Sequence, residues 1–230
     1  MYGKGMTTHT DKAYEAELRA LRDRLLAMGG LVEGAIASSV RAITERDAAL
    51  AEQVKVKDRE INRMEVEIDG MCRRILALRQ PAASDLRFIT TALKIVVDLE
   101  RMGDLAVNVA ERALDLVQAP PLGPLHELAK IADLAEAQLR KALDAFVTGD
   151  VAKAEEVMGG DDLIDALYLK IFNDALALMM EDSRNIRRAT STMFAAKHLE
   201  RFGDHATNLA EMVVFMVRGQ DIRHPRSRAP

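Results

Sequence analysis

Two stretches of this 230-residue chain place oxygen-bearing side chains at helical spacing. One carries Glu100, Asp104, Asn108 and Glu111; the other carries Glu200, Asp204, Asn208 and Glu211. At roughly 100° per residue, each set falls within an arc of about 80° on one side of a helix. Three carboxylates and an amide carbonyl on one stripe make an all-oxygen donor set. Such donors, with little His or Cys beside them, suit hard divalent cations or iron: Mg²⁺, Mn²⁺, Fe and, less readily, Zn²⁺. Two other segments offer further oxygen donors, Asp58 and Asn62 in one (with Glu65 and Asp69 on the same side), and Asp161 and Asp165 in the other.

The competing reading is a solvated face, which every amphipathic helix has, with Arg101 and Arg201 pairing to neighbouring carboxylates. Three features weigh against it. Like charges four residues apart destabilise a helix by a few tenths of a kcal/mol, yet the spacing recurs in both copies. The partner segments add further acids. Gly103 and Gly203 sit inside helical patterns at a cost of about 1 kcal/mol each relative to Ala, which marks places of close approach. An oxidase built on a carboxylate-bridged iron pair needs Glu-x-x-His. The residues three before His126, His198, His205 and His224 are Gly123, Ala195, Phe202 and Asp221, so the pair is absent. The chain also has no P-loop, no Gly-x-Ser-x-Gly and no Cys-x-x-Cys, and catalytic machinery is not expected.

Periodicity and breakers divide the chain into six helical segments. The first spans about 11–46, with a soft spot at Met28-Gly29-Gly30, and the second spans about 48–78. Gln80-Pro81 ends the second, and Ser84 or Asp85 can cap a third over about 86–118. Residues 119–124, Ala-Pro-Pro-Leu-Gly-Pro, read as the linker. A fourth helix covers about 125–148 and a fifth about 151–180, kinked at Gly159-Gly160. Asp182 or Ser183 caps the sixth, which runs to about Val217. Residues 1–10 read as a disordered N-terminus and 219–230 as a flexible tail. The halves repeat each other: Glu100–Glu111 and Glu200–Glu211 agree at eight of twelve positions at an offset of 100. Upstream the offset becomes 103, pairing Asp47 with Asp150, Asp58 with Asp161 and Asn62 with Asp165. The expected fold is therefore all-α, one three-helix unit over 11–118 and a second over 125–218. Met102, Leu105, Ala106, Val109 and Ala113 lie opposite the acids and read as the core stripe.

Thirty-six acidic against 32 basic residues give a formal charge of −4, without the basic footprint of a nucleic-acid binder. Cys72 has no second cysteine to pair with and reads as a buried, inert thiol. No uncharged apolar run approaches the ~18–20 residues that span a bilayer, and Met212–Val217 reads as the densest apolar patch. The N-terminus has no apolar leader. A cytoplasmic protein, reaching membranes only through partners, is expected.

The chain resembles the PhoU family, the phosphate-uptake regulators that accompany the bacterial high-affinity phosphate transporter. The resemblance rests on Met28-Gly29-Gly30-Leu31-Val32-Glu33, on Arg79-Gln80-Pro81-Ala82-Ala83-Ser84-Asp85-Leu86-Arg87, on Met180-Glu181-Asp182-Ser183-Arg184, on the two Glu-Arg-x-Gly-Asp stripes and on Gly219–His224. It implies two tandem three-helix bundles related by pseudo-two-fold symmetry. It also implies metal sites on Glu/Asp-x-x-x-Asp pairs, here Glu100 with Asp104, Glu200 with Asp204, and Asp161 with Asp165. The first half departs by offering Asn62 after Asp58, one charge fewer. By the same resemblance the protein represses the phosphate-starvation response and restrains uptake. It does so between the transporter's ATPase subunit and a sensor histidine kinase, and a homodimer is compatible with that role. A purely structural scaffold is the alternative, and a carboxylate-metal enzyme a more distant one.

Overall fold

The computed structural model describes residues 5–120, 122 and 126–219, with side chains from residue 12 onward. Parts of the expected N-terminal segment, linker and tail (1–4, 121, 123–125, 220–230) lie outside the described residues. The order is α1 (Gly5–Thr44), α2 (Ala48–Leu78), α3 (Ala83–Val117), α4 (His126–Thr148), α5 (Val151–Met158), α6 (Asp161–Glu181), a 3₁₀ turn (Ser183–Asn185) and α7 (Ile186–Arg218). Among the described residues there is no strand.

Corresponding turns are built alike. Asp47 caps α2 by accepting from the Leu50 amide at 3.0 Å, and Asp150 caps α5 by accepting from the Lys153 amide at 3.2 Å. The residue before each cap is left-handed, Gly149 at φ 67° and Arg46 at φ 58°. Glycine adopts this conformation freely, whereas arginine is strained in it. The Arg46 guanidinium donates to the Val117 and Ala119 carbonyls at 2.7 and 2.5 Å, closing the end of α3 and offsetting that strain. The start of α3 differs from the expectation. The helix begins at Ala83 without a side-chain cap, and Asp85 instead accepts from the Tyr14 hydroxyl of α1 at 2.9 Å. The kink at Gly159-Gly160 is a complete break between α5 and α6, while the corresponding stretch of α2 is continuous.

Helices α1, α2 and α3 pack as one bundle, and α4, α5 with α6, and α7 as another. The most extensive contact is between the bundles, α3 on α7, with α1 on α4 beside it. Arg87 donates to the Met216 carbonyl at 2.9 Å, His205 meets Asp98 at 2.8 Å and Arg187 approaches Asp115 at 3.8 Å. These pairs run in opposite chain directions, so α3 and α7 are antiparallel about a pseudo-two-fold axis. Phe88 of α3 stacks on Phe146 of α4 at 5.1 Å, and one continuous set of buried side chains spans both bundles. The expected core stripe of α3 is buried throughout.

A further apolar segment, interrupted in sequence by Glu33 and Arg41, lies in α1. Within Lys12–Thr44 of α1 lies a window long and apolar enough to cross a bilayer, and half of it is buried in the fold. Because α1 packs against α2, α3 and α4 at once, its apolar face is wide. Cys72 is fully buried, and burial pushes its thiol up to about 12, consistent with an inert side chain.

Candidate metal centres

The acid stripes of the two central helices face the outer helix of their own bundle. In the first seam, α3 presents Glu100 and Asp104 while α2 presents Asp58, Asn62 and Glu65. The Asp58 carboxyl is raised above the usual aspartate range by burial and then by the facing charge of Asp104. Glu100 is raised likewise, by burial first and then by Asp104, Glu65 and Asp58, against the lowering effect of Arg101. Asn62 donates from Nδ2 to Asp58 Oδ2 at 3.1 Å, so its amide supports the aspartate. The other oxygen, Asp58 Oδ1, is buried with no hydrogen-bond partner among the described residues. Arg101 reaches Asp104 at 3.4 Å and Glu100 at 3.6 Å from a largely exposed position.

The second seam sets Glu200 and Asp204 of α7 against Asp161 and Asp165 of α6. Asp161 is raised by burial, then by Asp204, Asp165, Glu200 and Asp162. Asp204 is raised by burial, with Lys197 acting against it and Asp165 adding to it. Asp161 Oδ1, like its counterpart Asp58 Oδ1, is buried and unpartnered among the described residues. Lys197 lies 2.6 Å from Glu200 and 5.1 Å from the centre of the Tyr168 ring. Its position has no basic counterpart in the first seam, where the offset of 100 puts Val97.

The glycines mark the close approach. A Cβ on Gly103 would stand 3.1 Å from Asp58 Oδ1 and 3.2 Å from Ile61. One on Gly203 would stand 2.8 Å from the Ile164 Cδ1 methyl. Without a side chain at these points the outer helix settles against the central one, and the acids of both are brought near enough to act on one another's charge.

The far ends of the stripes lie elsewhere. Extending the antiparallel register of Asp58 with Asp104 brings Glu111 opposite Ala51, and extending that of Asp161 with Asp204 brings Glu211 opposite Ala154. Glu111 stands 3.7 Å from Arg112 and acts on His198 rather than on the α2 acids. Asn108, Asn208 and Glu211 are half-buried further along the helices. Glu65, on the acidic side of α2 by its spacing, bears on Glu100, and Lys197 is a participant that the donor pattern does not point to. As the side chains stand, no three carboxylate, imidazole or thiolate groups among the described residues gather tightly enough to enclose a metal ion. The donor chemistry and the two orphaned aspartate oxygens nonetheless fit a hard cation, because repulsion and unmet oxygens are relieved together when positive charge enters.

A PhoU domain model matches the chain twice, over residues 25–113 and 128–213. The phosphate-specific transport system accessory protein PhoU homolog of Pseudomonas putida is 45% identical over 223 residues, covering 96% of this chain and 87% of that one. The homolog of Caulobacter vibrioides strain NA1000 / CB15N is 40% identical over 224 residues, 97% of each. The Escherichia coli K12 protein PhoU is 35% identical over 219 residues, 95% of this chain and 91% of its own. The crystal structure of PhoU from Pseudomonas aeruginosa superposes with a TM-score of 0.86 at 44% identity, over 90% of this chain and all of that one. The PhoU structure from Streptococcus pneumoniae gives 0.85 at 30% identity, over 92% and 100%. Each domain match falls within one three-helix unit, the relatives are similar end to end, and the chain belongs to the PhoU family.

Proposed function

We propose that the chain is the cytoplasmic accessory regulator of a high-affinity phosphate transporter, an adaptor without turnover of its own. The observation that carries this reading is similarity over nearly the whole chain to proteins named for that transport system. In this role it joins the transporter's ATPase subunit to a sensor histidine kinase, holds the phosphate-starvation response off while phosphate is abundant, and meets the membrane only through those partners. Deleting the gene and assaying a phosphate-starvation reporter such as alkaline phosphatase in high phosphate tests it. High activity without the protein is expected, and unchanged low activity would sink the repressor role. Co-purification with the ATPase subunit or the kinase tests the adaptor role.

The acid seams suit divalent or iron cations, bound by Asp58, Glu65, Glu100 and Asp104 in one bundle and by Asp161, Asp165, Glu200 and Asp204 in the other. The carboxylates must turn inward from their present positions to close on an ion, and Arg101 and Lys197 must give way. A bound cation supplies positive charge, and its open coordination positions favour an anion such as phosphate or a carboxylate-bearing partner. Calorimetry of chelator-stripped protein with Mg²⁺, Mn²⁺, Fe²⁺ or Zn²⁺ tests this. Binding should be lost in the double variant Asp104→Ala with Asp204→Ala; binding that survives both changes removes the seams from the account.

A further inference from the structure

The second seam holds a buried polar group that the first lacks. Gln138 of α4 is only 9% exposed, and its Oε1 is buried without a hydrogen-bond partner among the described residues. An unmet amide oxygen in such a place is costly unless something arrives to meet it. Two glycines fix where the amide lies. A Cβ on Gly203 would be 3.5 Å from Gln138 Oε1, and one on Gly160 would be 3.1 Å from Nε2. Gly203 directly precedes Asp204 and Gly160 directly precedes Asp161, so the amide sits between the two helices that carry the acids. Asp161 Oδ1 is a second orphaned oxygen in the same seam. An added N–H donor would satisfy one of these oxygens, but only a cation would also relieve the repulsion among the carboxylates. At the repeat offset of 103, Gln138 corresponds to Ala35, so the first seam has no such oxygen.

We propose that Gln138 is a neutral oxygen ligand in the second seam, which with Asp161, Asp165, Glu200 and Asp204 forms a site for a hard divalent cation of the Mg²⁺ and Mn²⁺ class. The inference rests on the cation binding proposed above and makes the two seams unequal, the second being the tighter. A neutral oxygen completes coordination without adding repulsion, and carboxylate with amide carbonyl suits these ions better than Zn²⁺. The test uses the full chain, stripped by chelator, with the first seam neutralised by Asp58→Asn and Asp104→Asn. Mn²⁺ is titrated in, and free Mn²⁺ is read by electron paramagnetic resonance. Gln138→Leu keeps volume but loses the oxygen, and should weaken Mn²⁺ binding roughly ten-fold or more. Gln138→Glu keeps the oxygen and should bind at least as tightly as its parent. Equal binding in the Leu variant, or weakening in the Glu variant, overturns the assignment. The second outcome would mean that the amide serves as a donor to the acids. Circular dichroism checks the fold of each variant, and the Glu variant decides alone if the Leu variant fails to fold. Absence of Mn²⁺ binding in the unmodified chain is a separate result that removes the cation reading and this inference together.

Discussion

Asp58 and Asp161 hold corresponding places in the two repeats, each with one oxygen buried and unpartnered among the described residues. Each carboxyl is raised first by burial and second by an aspartate on the facing helix. A carboxyl raised in the folded state burdens the fold once the pH passes its folded value, and the burden vanishes below its unfolded value. Asp161→Asn should therefore stabilise the chelator-stripped chain at pH 7 by several tenths of a kcal/mol, the scale of like-charge repulsion between helix neighbours. The advantage should shrink as the pH falls toward about 4, the ordinary aspartate range. Thermal denaturation across a pH series reads this directly, and an advantage that stays constant with pH would show that charge is not its source. Arg46 poses a different balance. Replacing it with Gly, as at position 149, removes backbone strain of about 1–3 kcal/mol. The same change removes two charge-assisted bonds to the end of α3, each worth about 1.5–3 kcal/mol. A net loss of about 1 kcal/mol or more is expected, seen as a lower urea midpoint for Arg46→Gly.

At the scale of helices, the seams depend on how closely α2 approaches α3 and α6 approaches α7. Gly203→Val would put a branched side chain where the Ile164 methyl already stands within 2.8 Å of a single added carbon. Overpacking of this kind costs about 1–3 kcal/mol, and here it pushes α6 away from α7. Stability should fall, and cation binding in the second seam should weaken while the first is spared; a variant that loses stability but keeps both affinities would uncouple helix approach from the site. The six-segment pattern and its duplication were legible because Gly, Pro and Asp mark the turns, and because α3 and α7 conserve the period of their buried faces. The break after Met158 was visible as two consecutive glycines. The residues that distinguish the seams were harder to see. Lys197 corresponds to Val97 and Gln138 to Ala35. A search for agreement between repeats passes over such positions, because their meaning lies in the mismatch. Gln138 belongs moreover to a third helix, whose approach to the seam follows from packing and not from spacing along α6 or α7. The wide apolar face of α1 is masked in the sequence for a related reason: Glu33 interrupts the run, yet in the fold it pairs with Arg140 of α4 at 2.8 Å.

For the molecule as a whole, duplication of the sequence does not mean two independent folding units. The buried side chains form one set that crosses between bundles, and the broadest contact joins α3 of one repeat to α7 of the other. Phe202 is fully buried in that central helix, and Phe88 and Phe146 stack across the boundary. Separating the repeats would expose the inner faces of α1, α3, α4 and α7 together, a loss that neither bundle's remaining contacts offset. Urea unfolding should therefore be a single transition, with hydrogen exchange of peptides from α3 and α7 collapsing at the same denaturant concentration. Phe202→Ala should lower stability by about 3–5 kcal/mol and move both sets of peptides together. Saturating one seam with a cation at about one hundred times its dissociation constant should stabilise the entire chain by about 2.7 kcal/mol, because an ion bound only by the folded state shifts the shared equilibrium. Protection that rises in the loaded bundle alone, with the other melting at its former midpoint, would show that the seams act on separate units. Shared protection would mean that a cation arriving at either seam is felt at both ends of the molecule, the property that the proposed adaptor role requires.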